Sequence, residues 1–125
     1  MAKTISNTKF TISLNEDGYF DLYIKDNVEI LIEDVLLIIE SQKSLCGESI
    51  PSLISGGKYA TTNMDVMKFL AKNENMPYSK ISAYVANSAS QKLLGNFYLK
   101  INKPERPTRF FNDRDEAVNW IKQYL

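Results

Sequence analysis

Asn96-Phe97-Tyr98-Leu99-Lys100-Ile101-Asn102-Lys103-Pro104-Glu105-Arg106-Pro107-Thr108-Arg109-Phe110-Phe111 carries the chain from an apolar helix end, through a basic loop, into a short aromatic strand. Pro104 and Pro107 lack backbone donors and disfavour helical φ/ψ in the residues before them, so the helix stops ahead of Pro104 and Arg109-Phe110-Phe111 is predicted to be extended. Upstream, Ser88-Ala89-Ser90-Gln91 has the spacing of a capping box. It opens a helix on which Leu93, Leu94, Phe97 and Ile101 are predicted to face inward. Downstream, Asp113-Arg114-Asp115-Glu116 caps a last helix, where Ala117, Trp120, Ile121 and Tyr124 recur at i, i+3, i+4 and i+7. Trp120 is therefore predicted to enter the core.

The same alternation runs back along the chain. Ile81-Ser82-Ala83-Tyr84-Val85-Ala86 reads as a strand. Before it, Thr62-Asn63-Met64-Asp65 has capping-box spacing, which predicts a helix with Thr62 at its N-cap. That helix runs to about Lys72, with Met64, Met67, Leu70 and Ala71 inward. Ile50-Pro51-Ser52-Leu53-Ile54-Ser55 reads as a buried strand running into Gly56-Gly57. From Ile32 to about Leu45, helical spacing puts Ile32, Val35, Leu36 and Ile39 on one face, with Glu33 and Asp34 in the first turn, where the helix dipole favours acids.

At the start of the chain the period is two. Phe10-Thr11-Ile12-Ser13-Leu14 and Tyr19-Phe20-Asp21-Leu22-Tyr23-Ile24 flank the turn residues Asn15-Glu16-Asp17-Gly18, which predicts an antiparallel hairpin. Val28-Glu29-Ile30 is either a short strand or an extended lead-in to the first long helix, and the lead-in is preferred. The order ββαβαβαβα predicts a single α/β domain over residues 1–125: a mixed sheet with an N-terminal hairpin and about four helices.

Composition narrows the chemistry. The 125 residues are 44% hydrophobic, enough for one real core, and 15 basic residues balance 15 acidic ones. That balance argues against a nucleic-acid binder living on phosphate contacts. The charges are unevenly spread: residues 1–49 hold nine acids and four lysines, whereas 50–112 hold three acids and nine bases. The single Cys46 excludes an internal disulfide framework, no stretch is long and apolar enough to span a bilayer, and the first residues lack the apolar run of a signal peptide. A cytoplasmic location is expected. The absence of histidine removes the commonest general base and most zinc sites. Gly56-Gly57-Lys58 lacks the spacing of a phosphate-binding loop, and Glu33 and Asp34 point apart by about 100° on their helix. No enzyme activity, cofactor or metal is expected.

One cluster does suggest binding. Lys100, Asn102, Lys103, Arg106 and Arg109 lie beside Tyr98, Phe110 and Phe111. They read either as a cradle for a phosphate, a carboxylate or a lipid headgroup, or as a helix C-terminus with its capping amide and dipole-compensating cations.

Taken together, the 96–111 run and Glu116-Ala117 with Trp120-Ile121 resemble small bacterial proteins of the STAS-like (SpoIIAA-like) superfamily, of the type frequent in Bacteroidetes and labelled STAS or CRAL-TRIO-like. The hairpin, the Glu33-Asp34 helix start and the Pro51 strand extend the likeness over nearly the whole chain. The resemblance implies a STAS-like fold and a regulatory or binding role rather than a reaction. The chain departs from the pattern at Ser55-Gly56-Gly57, where relatives carry an acid and an arginine, and at Leu31, where they carry a threonine cap. In the sigma-factor regulators of the superfamily, a serine preceded by aspartate at a helix start accepts phosphate. By topology Thr61 and Thr62 are the nearest candidates here, without that aspartate, and a plain N-cap is the competing reading.

The expected function is a non-enzymatic cytoplasmic binding or regulatory module, with a protein or a small ligand as partner. The alternative, by analogy with the CRAL-TRIO label, is a carrier of a small apolar or amphipathic ligand. Leu37 and Ile38 extend the apolar arc of the first helix beyond what a sheet covers. Either the N-terminal tail with Ile5 covers them or two copies of the chain associate there.

Overall fold

The computed structural model describes residues 3–125. Its main sheet has six strands, in the order β1 (Thr4–Ser6), β2 (Phe10–Leu14), β3 (Phe20–Ile24), β5 (Ile50–Gly56), β7 (Ser79–Val85) and β8 (Thr108–Phe111). A separate two-stranded ladder joins β4 (Glu29–Ile30) to β6 (Thr61–Thr62). β1 to β3 are antiparallel and β3, β5, β7 and β8 are parallel, so the predicted mixed α/β architecture with its N-terminal hairpin is the observed one.

The hairpin follows from its residues. The register sets Phe10 against Ile24, Ile12 against Leu22 and Leu14 against Phe20, putting these six apolar side chains on one face. Its turn is closed by Asn15, whose Oδ1 accepts the Asp17 N–H at 2.8 Å, and by Gly18 at φ 96°, a left-handed value that glycine adopts without penalty. β1 was not legible. Its one apolar residue is Ile5, and its side-chain pairing with β2 includes hydroxyl pairs, Thr4 with Ser13 and Ser6 with Thr11, each at 2.9 Å.

Helices α1 (Ile32–Leu45), α2 (Met64–Leu70) and α3 (Ala89–Phe97) each link one parallel strand to the next. The strands advance in one direction across the sheet, so right-handed crossovers lay all three helices on the same face. α4 (Arg114–Lys122) follows the last strand and covers the opposite face, where Trp120, Ala117 and Ile121 pack on Leu53, Ile81 and Ala83. An Arg114–Asp21 ion pair ties α4 to β3. The result is three layers with a separate apolar cluster on each side of the sheet.

Several local readings change. Val28-Glu29-Ile30 is not merely a lead-in: Glu29–Ile30 pairs with β6, and the Thr61 N–H donates to the Val28 carbonyl at 2.9 Å. Thr62 is not the cap of α2, because its hydroxyl donates to the Ile30 carbonyl at 2.7 Å. Asn63 takes the cap instead, accepting the Val66 N–H at 3.0 Å. α2 stops at Leu70, ahead of the predicted Lys72, and Met64 is exposed rather than inward.

On α1 the buried face is rotated. Ile38 is buried, while Leu36 and Leu37 are half-exposed, so the predicted inward Leu36 and outward Ile38 exchange places. The reason is two polar residues that turn inward because they find partners. Asp34 accepts from Lys9 Nζ at 2.7 Å and from the Leu31 N–H at 2.8 Å, and Gln42 reaches two serines.

On α3 the predicted face is also displaced. Leu93, Phe97 and Ile101 face solvent, and Gly95 turns inward. A Cβ at Gly95 would lie 2.5 Å from the Phe110 ring, so the helix meets the sheet through its one side-chain-free position. α3 continues into a single π-helical turn, Tyr98–Asn102, ended by Lys103 at φ 48°.

Candidate functional site

Between the inner face of the sheet and α1–α3 lies a cavity of about 180 Å³. It exists because the facing positions are small. Ser52 and Ser82 are neighbours across β5 and β7, and Gly95 supplies no side chain from the helix above them. Around these, Ile12, Leu22, Ile38, Val66 and Leu94 make the wall mostly apolar.

Two buried polar groups interrupt that wall. Under α1, Gln42 is 2% exposed and its Nε2 donates to Ser79 Oγ at 3.3 Å and to Ser52 Oγ at 3.4 Å, while its Oε1 has no partner. At the α2–α3 end, Arg106 is 5% exposed and Tyr98 3%. One Arg106 Nη donates to the Leu70 carbonyl at the end of α2, but its Nε and the Tyr98 hydroxyl have no partner. The loop that delivers Arg106 is held by the segment that follows α2: the Glu105 N–H donates to the Ala71 carbonyl at 2.9 Å, and the Glu105 carboxylate accepts the Asn73 N–H at 2.8 Å.

Tyr84 completes this end, stacked on Phe110 at 4.7 Å and edge-on to Tyr98 at 6.4 Å. Burial pushes the Tyr84 phenol well above its usual pKa, and nearby Tyr98 adds to this while Arg106 opposes it. Burial also raises Tyr98, against the pull of the Arg106 guanidinium beside it, although no hydrogen bond of good geometry reaches the hydroxyl. Both groups therefore keep their protons in the folded state at a pH where the unfolded chain begins to lose them, near 10. Stability is expected to be undiminished by these groups below about pH 10 and to fall above it by up to about 1.4 kcal/mol per pH unit for each. Absorbance at 295 nm followed with circular dichroism checks this. Titration of all seven tyrosines near pH 10 with the fold intact would contradict it.

The residues singled out in the 96–111 stretch do not converge on one point. Tyr98 and Arg106 turn into the cavity, whereas Lys100 and Lys103 are exposed and Asn102 is half-buried. Arg109 leaves for the other face of the sheet, where its guanidinium lies 5.1 Å from the Phe111 ring centre and 5.7 Å from that of Trp120. Thr61 is exposed and Thr62 half-buried, both in β6 rather than at a helix start. Gln42, Ser52, Ser79 and Ser82 were missed. Their signal was present in the two strands, where serines take positions on a face otherwise built from Ile54 and Tyr84.

Among the described residues no three of Cys, Asp, Glu or His are arranged to hold a metal ion, and no helix is long and apolar enough to cross a membrane. The fold resembles the crystal structure of an uncharacterized protein from the DUF3478 family with a SpoIIAA-like fold, from Shewanella loihica PV-4. The TM-score is 0.56 at 16% identity, with 97% of this chain and 92% of that chain covered. At that identity the likeness establishes the SpoIIAA-like fold and nothing about chemistry. No curated protein matches the sequence. Residues 12–125 match the family model described as "Domain of unknown function (DUF7793)", and the chain belongs to that family.

Proposed function

We propose that this domain is a non-enzymatic binding module whose ligand is a small, largely apolar molecule held between the sheet and α1–α3. The observation that carries this reading is the 180 Å³ cavity with its mostly apolar wall. A dry cavity of about 150 Å³ accepts benzene, so this one suits a ring or short chain of roughly six to ten non-hydrogen atoms. A two-chain lipid would not fit, which narrows the carrier alternative to single short amphiphiles. No partner macromolecule is required for this role.

Calorimetric melting with and without toluene, together with native mass spectrometry of the purified protein, tests it. A ligand that binds only the folded state raises the melting temperature in proportion to the logarithm of its concentration over Kd. Toluene is expected to raise it, and Ser82→Ile, which places a larger apolar side chain in the cavity, is expected to abolish the effect. An unchanged melting curve at saturating toluene, with no bound mass on the protein, would refute the reading.

A second reading concerns self-association and rests on Leu36 and Leu37, which are 52% and 50% exposed side by side on α1. Because each is already about half-buried, covering the rest recovers roughly 1–1.5 kcal/mol per side chain, and a twofold pair of helices needs only this one patch. Sedimentation is expected to find a dimer that Leu37→Glu converts to monomer. A wild type already monomeric at high concentration would remove this reading and leave the cavity untouched.

A further inference from the structure

We propose that Arg106 and Tyr98 form the polar end of the cavity and select a monoanionic ligand, a small carboxylic acid bound as its carboxylate with its apolar body against the sheet. This rests on the cavity being a ligand site. Arg106 is nine-tenths buried and permanently charged, yet no carboxylate lines the cavity and no described residue forms an ion pair with it. The nearest acid in sequence, Glu105, is engaged with the Asn73 N–H. What Arg106 does have is the Leu70 carbonyl, which offers the partial negative charge of a helix C-terminus and not a full counter-charge. A buried cation left so is costly, and a carboxylate supplies both the missing charge and an acceptor for the free Nε–H.

Tyr98 strengthens the assignment. Tyr98 lines the same end and its hydroxyl is buried without a partner, so a second ligand oxygen that reaches it would find a donor there. One cation also sets the charge. A phosphate dianion would bring a second negative charge into an apolar space with nothing to balance it, whereas a monocarboxylate balances Arg106 one to one. The size of the cavity limits the body to something like a benzene ring or a six-carbon chain.

The test compares acid and alcohol of the same shape on the intact protein at pH 7: benzoate against benzyl alcohol, and hexanoate against hexanol, by isothermal titration. At least tenfold tighter binding of the acids is expected. In Tyr98→Phe the acids should weaken several-fold with the alcohols unchanged. In Arg106→Met the preference should vanish, and Arg106→Lys should restore part of it. Should Arg106→Met fail to fold for loss of its bond to α2, the wild-type acid-to-alcohol ratio and Tyr98→Phe still decide. Alcohols binding as tightly as the acids would overturn this proposal while leaving an apolar ligand site standing. Failure of all four compounds and of toluene would overturn both.

Discussion

Trp120→Ala is expected to lower stability by about 3–5 kcal/mol, the range for removing a large aromatic from a core. The side chain is 8% exposed on the inner face of α4, with its ring 5.7 Å from that of Phe111 and 5.3 Å from that of Tyr124. α4 is nine residues long, too short to hold its shape without packing, and Trp120 is its largest anchor to the sheet. The Arg109 guanidinium over the same rings would lose part of its contact as well. Urea denaturation followed by circular dichroism measures the change. A loss under about 1 kcal/mol would mean that α4 is held by other contacts. Ligand binding should survive in the folded fraction, because α4 and the cavity lie on opposite faces of the sheet.

Phe20→Ala is expected to cost a similar amount, about 3–5 kcal/mol, with a different consequence. Phe20 is fully buried at the start of β3, where it pairs with Leu14 on one side and Ser52 on the other. It lines the cavity, so the void left by its ring would merge with the existing one instead of collapsing. The variant should therefore bind larger apolar molecules than the wild type, relative to toluene. A melting shift with biphenyl, which is larger than the wild-type cavity suits, in Phe20→Ala but not in wild type is the expected result. Equal shifts in both would place the ring outside the ligand's reach. With Trp120→Ala this makes a pair: two losses of similar size on opposite faces, only one of which alters binding.

How much of this was legible before the fold was seen depends on the kind of signal. The hairpin, the three parallel strands, all four helices and the buried Trp120 were readable because apolar periodicity and turn chemistry act within a few residues of one another. β1 was not readable because it buries little and is held partly by hydroxyl pairs with a strand several residues away. For the site, Tyr98 and Arg106 were picked out by their basic, aromatic surroundings. Those same surroundings drew in Lys100, Lys103 and Arg109, which the structure sends elsewhere.

The sequence by itself determined the hairpin, the alternation of strands and helices after it, the mixed sheet and the burial of Trp120, since each follows from local spacing and from the handedness of crossovers. Only the tertiary structure decided which face of α1 and of α3 turns inward. Asp34 and Gln42 enter the interior because partners distant in sequence satisfy them, and Gly95 sets the approach of α3 because the Phe110 ring occupies the space a side chain would need. The cavity belongs to the same category. It is the gap left where small residues of β5, β7 and α3 meet, and Arg106 points into it because its loop is tied to α2, thirty-six residues earlier in the chain.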